Sequence, residues 1–401
     1  MQLSKANLPK IMSSENVLMF SGIIAAFHLG KVSPAVPILQ ETLNLTVIEA
    51  GFLISLMQFA GALFGLIMGG FSEKIGAARS ILIGQFILII SSISTIFVYH
   101  PLQLLMLRAM ESFGFLMVVL PTPGLIRKLV PANKLSFRLG LWSCYMAIGT
   151  SSAFILGPYL IEMIGWHGWW YVPAVMSVFC MILLQRGLSH VLKRSNQKVY
   201  TFEDLWNTQF KSVLKHKNTW FVGLAFAMYT GPWITIIGFL PTIYHQVGIS
   251  NIYAGFLTAC ASLVNIVGNI LAAVLIHRGI QAKKLLMLGY LTLFVTVFVA
   301  FSPFYTLISI QYIAILLFSA VGGLIPAILF ILGVKSAPNN ETVAAAVGLV
   351  QQCSSLGMLF IPPFIARVAE GVGSWNLTWV VIGIAALIGL LLSTNVARQY
   401  Q

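Results

Sequence analysis

The chain has 401 residues, 58% of them hydrophobic and 8% charged, with a mean hydropathy of +0.92 and a formal net charge of +13. Such a composition excludes a water-soluble domain and points to long apolar segments held in lipid. The basic excess does not mark a nucleic-acid stripe: 20 of the 23 Lys and Arg residues fall in the even-numbered connections and the two tails, the positive-inside pattern of a membrane protein.

Twelve apolar runs are long enough to cross a bilayer as helices. They are predicted at 16–39, 50–70, 80–98, 102–126, 139–161, 170–188, 218–245, 252–276, 284–302, 305–332, 342–366 and 376–394. A closed barrel would show alternation of apolar and polar residues, and these runs show none. The first fifteen residues are polar and precede a full-length span, so no removable signal peptide is expected. Charge placement puts both termini in the cytoplasm and the chain in the plasma (inner) membrane.

The chain also resembles itself at a displacement of 204 residues. Ala50-Gly51-Phe52-Leu53 returns as Ala254-Gly255-Phe256-Leu257, and the same shift pairs Pro37 with Pro241, Lys74 with Arg278 and Pro158 with Pro362. The expected fold class is therefore an all-α membrane protein of twelve transmembrane helices in two pseudo-symmetric six-helix halves, with solute held between them. The halves are residues 1–188 and 218–401, joined by a basic cytoplasmic linker, 189–217. In that linker Trp206 and Phe210 are placed to face the membrane surface.

Prolines punctuate the first span (Pro34, Pro37), the fourth (Pro121, Pro123), the seventh (Pro232), the tenth (Pro326) and the eleventh (Pro362, Pro363). Within lipid these bend helices or free carbonyls toward a cavity. Gly61, Gly65 and Gly69 recur at spacing four, which lets helices approach closely.

Three charged residues stand out deep within spans: Lys31 in the first, Arg108 and Glu111 in the fourth. An ionised side chain at the centre of a span costs about 2.5–3.5 kcal/mol on insertion scales, so such groups mark function by default. Counted along their helices, Lys31, Arg108 and Glu111 lie roughly 12, 9 and 13 Å from the outer ends of their spans, so they share one level. Arg108 and Glu111, three apart, also share a helix face. One displacement later these positions are Thr235, Tyr312 and Ile315, so the charge belongs to the first half alone. Its sum is +1, which favours an anion in a cavity it lines. An ion pair that only fixes packing is the structural alternative. His28, one turn before Lys31, is a candidate for solute contact or proton carriage.

Uncharged candidates for orienting the solute are Tyr312, Gln311, Gln351, Gln352, Tyr145, Trp233, Tyr229, Gln58, Gln85, Asn265 and Asn269. For any one of them, bonding between helices is the simpler role. Zinc-protease, phosphate-loop and serine-elbow signatures do not occur, so no enzyme activity, metal or cofactor is expected. The four cysteines fall in spans without metal spacing.

Between the second and third spans stands Gly69-Gly70-Phe71-Ser72-Glu73-Lys74-Ile75-Gly76-Ala77-Ala78-Arg79. This resembles the signature loop of the major facilitator superfamily. Arg108 with Gly114, and Gly149 through Gly157-Pro158, are similar to that superfamily's fourth- and fifth-helix patterns. The resemblance implies gating roles for Glu73, Lys74 and Arg79, although Glu73 stands where aspartate is usual and Ala77-Ala78 replace much of the basic cluster. Glu111 stands where glutamine is common, which admits a proton-carrying role. Gly30-Lys31-Val32-Ser33-Pro34 and Phe239-Leu240-Pro241-Thr242-Ile243-Tyr244 resemble the cyanate and nitroimidazole permease branch, which implies a small anion or a small polar aromatic as solute.

The expectation is thus a secondary transporter that moves a small, anionic solute by alternating access with proton coupling. Lys31, Arg108 and His28 would attract the solute and Glu111 would carry the proton. One chain contains both halves, so it is expected to work as a monomer in the bilayer with no nucleic-acid partner. The rival readings are a multidrug-type efflux pump for amphipathic compounds and a non-transporting membrane sensor on the same fold.

Overall fold

In hydrocarbon a backbone must bond to itself, and a run of apolar residues does so as a helix. The computed structural model describes residues 13–131, 134, 138–139, 141–142, 144–189, 192, 206, 210–304, 307–339 and 342–399, and among them only helices and short connections occur. Among the described residues, eleven continuous stretches are long and apolar enough to span. In the first half they are α1 (Ser14–Leu43), α2 (Val47–Met68), α3 (Ala77–Thr95), α4 (Pro101–Leu129) and the stretch Tyr145–Gly187. In the second they are α7 (Lys217–Gln246), α8 (Asn251–His277), α9 (Ala282–Phe301), α10 (Ile308–Lys335), α11 (Ala345–Val372) and α12 (Trp375–Ser393).

The stretch Tyr145–Gly187 accounts for the twelfth span. Its 43 residues would reach about twice the thickness of a bilayer if straight. Gly165 breaks it with φ 71° and ψ 170°, a conformation open to glycine and strained for residues with a Cβ. Its arms, α5 (145–164) and α6 (166–187), replace the longer connection expected between 161 and 170. The repeat is visible in the elements: α8 begins at Asn251, 204 residues after α2 begins at Val47.

The halves meet along three seams. The α2–α11 seam runs along both segments of the broken α2. The α1–α7 seam involves residues 33–43 of α1, and the α5–α8 seam involves Asn251–Leu263. In the last, Thr150 Oγ1 lies 3.0 Å from Ser262 Oγ and Ser151 donates to the Ala259 carbonyl at 3.2 Å. These two seams lie toward the end that carries the α1–α2, α7–α8 and α5–α6 turns. At that end, within the second half, Trp375 donates from Nε1 to Gln246 Oε1 at 2.9 Å.

Within the 189–217 linker, the described residues include a short helix, Lys211–Lys215. Phe210 departs from its expected place at the membrane surface. It is buried with Val213 against Leu66 of α2 and Ala345, Ala346 and Leu349 of α11, because an aromatic ring gains more from that apolar crevice than from an interface.

Candidate solute and proton site

The site begins with a defect that the sequence builds into α1. Pro34 and Pro37 have no N–H to offer the preceding turn. The helix stops at Gly30, turns at Lys31 and Val32, passes through a 3-10 turn at Ser33–Ala35 and resumes at Val36. A helix end leaves its last carbonyls without intrahelical donors, and in a low-dielectric interior those carbonyls must be met.

Arg108 of α4 meets them. Its Nη1 donates to the His28 carbonyl at 2.7 Å and its Nη2 to the Leu29 carbonyl at 2.8 Å, while Nε reaches the Leu53 carbonyl of α2 at 3.1 Å. Trp169 of α6 takes the Lys31 carbonyl at 2.8 Å. One turn further along α4, Ser112 Oγ accepts from the Ala60 N–H at 3.1 Å, just past the 3-10 turn Leu56–Gln58 that interrupts α2. One face of α4 thus closes the breaks in both α1 and α2.

The same defect turns Lys31 inward. Its ammonium donates to Glu111 Oε1 and, at 2.6 Å, to Ser92 Oγ of α3, and sits 5.4 Å from the Trp170 ring centre. Glu111 Oε1 also accepts from Ser92 at 3.1 Å and lies 3.0 Å from His28 Nδ1. Glu111 Oε2 accepts from Arg108 Nη1 at 2.8 Å. His28 Nε2 lies 2.9 Å from Ser177 Oγ of α6. Lys31 and His28 are fully enclosed and Arg108 and Glu111 are 2% exposed. With a neutral imidazole the cluster carries one net positive charge.

The structure therefore brings together the four ionisable residues singled out in the sequence, and it changes the expected setting of two. The Lys31 ammonium does not face an open vestibule in this conformation, because Glu111 and Ser92 hold it among α1, α3 and α4. The Arg108 guanidinium is committed to carbonyls and to Glu111, so it positions the site. Ser92, Ser177, Trp169 and Trp170 complete the site and were not among the sequence candidates. Serine in a span often bonds its own helix, as Ser91 does to the Ile87 carbonyl at 2.8 Å, so the neighbouring Ser92 gave no signal.

The second-half candidates have other partners. Trp233 donates to Ser319 Oγ at 3.1 Å, Asn265 donates to Tyr229 OH at 2.8 Å, and Tyr312 donates to the Leu257 carbonyl at 3.0 Å. Tyr145 is buried and stacks on Trp142 with ring centres 4.5 Å apart. Gln311 and Gln351 are half-buried. Arg79 is exposed at the start of α3, and the side chains of Glu73 and Lys74 lie outside the described residues.

The family model of the Major Facilitator Superfamily matches residues 18–346 and 221–398. The chain belongs to that superfamily, and it is an integral membrane transporter by fold and family. It is 24% identical to a 2-nitroimidazole transporter of Escherichia coli (strain K12) over 94% of this chain and 93% of the relative. It is 22% identical to the cyanate transport protein CynX of the same organism, over 68% of this chain and 69% of the relative. An uncharacterised transporter of Rickettsia felis is 25% identical, and there the match spans 59% of this chain and 58% of the relative. Among solved structures a D-xylose-proton symporter has the same fold, with a TM-score of 0.72 at 16% identity over 96% of this chain and 95% of that one.

Proposed function

We propose that this transporter moves a small anion or weak acid across the plasma membrane by alternating access, together with a proton. The observation that carries the reading is one carboxylate, Glu111, held between the Lys31 ammonium and the Arg108 guanidinium at the break in α1. A proton on Glu111 removes the counter-charge of both cations. A buried cation without its partner costs several kcal/mol, so a solute anion that reaches Lys31 restores the balance. Proton and anion then favour each other's binding, which is coupling in the thermodynamic sense. Arg108 stays on its carbonyls throughout, so Lys31 is the group that turns to the solute, with Trp170 behind it.

The seams support alternating access. Residues 33–35 of α1 pack on α7, so the break that carries Lys31 borders the contact between the halves. Positive charge on the even-numbered connections puts the α1–α2 and α7–α8 turns outside, so the α1–α7 and α5–α8 seams lie toward the outer side. Tyr145, Trp233, Gln311, Tyr312 and Gln351 would orient solute on the remaining walls, and Glu73, Lys74 and Arg79 would serve the cytoplasmic gate. The names of two relatives, for cyanate and for 2-nitroimidazole, fit a small anion or a small polar aromatic.

Proteoliposomes loaded and challenged with cyanate or 2-nitroimidazole test the proposal. In Glu111→Gln, accumulation driven by an inward proton gradient should be lost while exchange of internal for external solute persists. In Lys31→Ala both should be lost. Gradient-driven accumulation at the wild-type rate in either variant ends the proposal.

A further inference from the structure

We propose that His28 is the group that delivers the proton to Glu111, and that Ser177 is the positioning residue that holds its imidazole edge-on toward the carboxylate. The proposal rests on the proton-coupled reading above, and it stands on the geometry of the ring.

Both ring nitrogens are engaged, on opposite edges. Nδ1 lies 3.0 Å from Glu111 Oε1, and Nε2 lies 2.9 Å from Ser177 Oγ. An ionised carboxylate only accepts, so the hydrogen between His28 and Glu111 is on Nδ1. A neutral ring then has a bare Nε2, and the Ser177 hydroxyl donates to it. The Lys31 ammonium lies farther from Nδ1, at 3.4 Å, and makes its shorter bonds to Glu111 and Ser92. The charged and titratable groups facing the ring are therefore Lys31 on its own helix and Arg108 and Glu111 on α4, with the hydroxyls of Ser92 on α3 and Ser177 on α6. Of these, Glu111 Oε1 at 3.0 Å and Ser92 Oγ at 3.3 Å are within reach of Nδ1 as acceptors, and the carboxylate is the nearer and the charged one.

The transfer balances. A proton arriving from water at Nε2 forms one N–H bond. The Nδ1–H bond breaks and its proton forms an O–H bond on Glu111 Oε1. The ring begins and ends neutral, with its proton moved from Nδ1 to Nε2, and Glu111 passes from −1 to 0. The Ser177 hydroxyl rotates from donor to acceptor. This arrangement lets a proton reach an acid that is walled in by two cations without either cation moving, since the imidazole occupies the one side of Oε1 that Lys31 and Ser92 leave free. Before the transfer the Glu111 carboxylate, which only accepts, selects the Nδ1–H form, and the Ser177 hydroxyl, donor or acceptor by turns, keeps the ring in place through both forms.

The test has a spectroscopic arm and a transport arm. Nitrogen-15 resonances of His28 are recorded in lipid bilayers at neutral pH and assigned by their loss in His28→Gln. The wild type should show a neutral ring protonated on Nδ1, and Glu111→Gln should show a mixture of tautomers. A wild-type ring protonated on Nε2 overturns the proposal. In proteoliposomes with a trapped pH dye, proton uptake driven by cyanate should slow about a hundredfold in His28→Gln, within the range of positioned acid–base groups, and to a smaller extent in Ser177→Ala. Cyanate flux without proton uptake in the wild type would remove the coupling reading itself. Proton uptake in the wild type that is unchanged in His28→Gln would overturn the role of His28 alone.

Discussion

Arg108 shows how a charge in lipid can be architectural and still necessary for function. Four bonds tie its guanidinium to the His28, Leu29 and Leu53 carbonyls and to Glu111, and the planar fork suits three acceptors on two helices. Arg108→Ala leaves Glu111 with one fewer cation and two helix ends without donors. Thermal unfolding in detergent should report a loss of about 3–5 kcal/mol, the usual consequence of removing one partner of a buried ionic group. Arg108→Lys should recover only part of it, because an ammonium cannot reach both helices at once. Full recovery by lysine would mean that charge alone matters there. The residue types at this site were legible in the sequence because ionisable groups in apolar runs stand out. Their partners were not, because a serine or tryptophan in a span looks the same whether it bonds its own helix or a neighbour's charge.

At the scale of elements, the small residues of α2 have a defined counterpart. Gln352 of α11 donates from Nε2 to the Ala62 carbonyl at 2.9 Å and to the Leu63 carbonyl at 3.3 Å, and accepts from the Leu66 N–H at 3.1 Å. Its amide thus lies along the Ala62–Leu66 turn of the other half. Gly65 makes room for it: a Cβ there would stand 2.9 Å from the Gln352 Cβ. Ser355 reinforces the seam, donating to Gln58 Oε1 at 3.3 Å. Gly65→Ala and Gln352→Ala should both loosen α2 from α11. With the four native cysteines replaced, spin labels at Leu63 and Phe360, both exposed on these helices, should give a broadened distance distribution in each variant. An unchanged narrow distribution in both would show that the seam does not depend on this contact. Spacing four among glycines announces close packing in a sequence, but the partner helix and its glutamine emerge only when the second half is laid beside the first.

For the whole molecule, apolar length and charge placement carried most of the fold. The repeat displacement locates helix starts in the second half to within a few residues, and the twelve spans follow from hydropathy. The exception is the α5–α6 connection, where one glycine at positive φ does the work assigned to a longer loop. A single glycine among thirty-four carries no mark of its conformation in sequence. Phe210 is the other departure, since its crevice is made by α2 and α11 together. The site was half legible for a related reason: the sequence supplies the ions, and only the fold decides whether they face water or each other. Positive-inside topology makes its own prediction. Reporter fusions at either end of the chain should be active only in their cytoplasmic form, and a periplasmic signal at either would reverse the sidedness of the α1–α7 and α5–α8 seams.

The central claim is that Glu111 and Lys31 trade a counter-charge for a proton and an anion. Replacing both, Lys31→Met with Glu111→Gln, tests it most directly, because the neutral pair removes the exchange while the cluster keeps its net charge of +1, with Arg108 still held by the His28, Leu29 and Leu53 carbonyls. The account predicts a double variant that folds, unfolds below the wild-type temperature because Arg108 has lost its carboxylate, and accumulates no cyanate under an inward proton gradient. Accumulation by that double variant at the wild-type rate would contradict it.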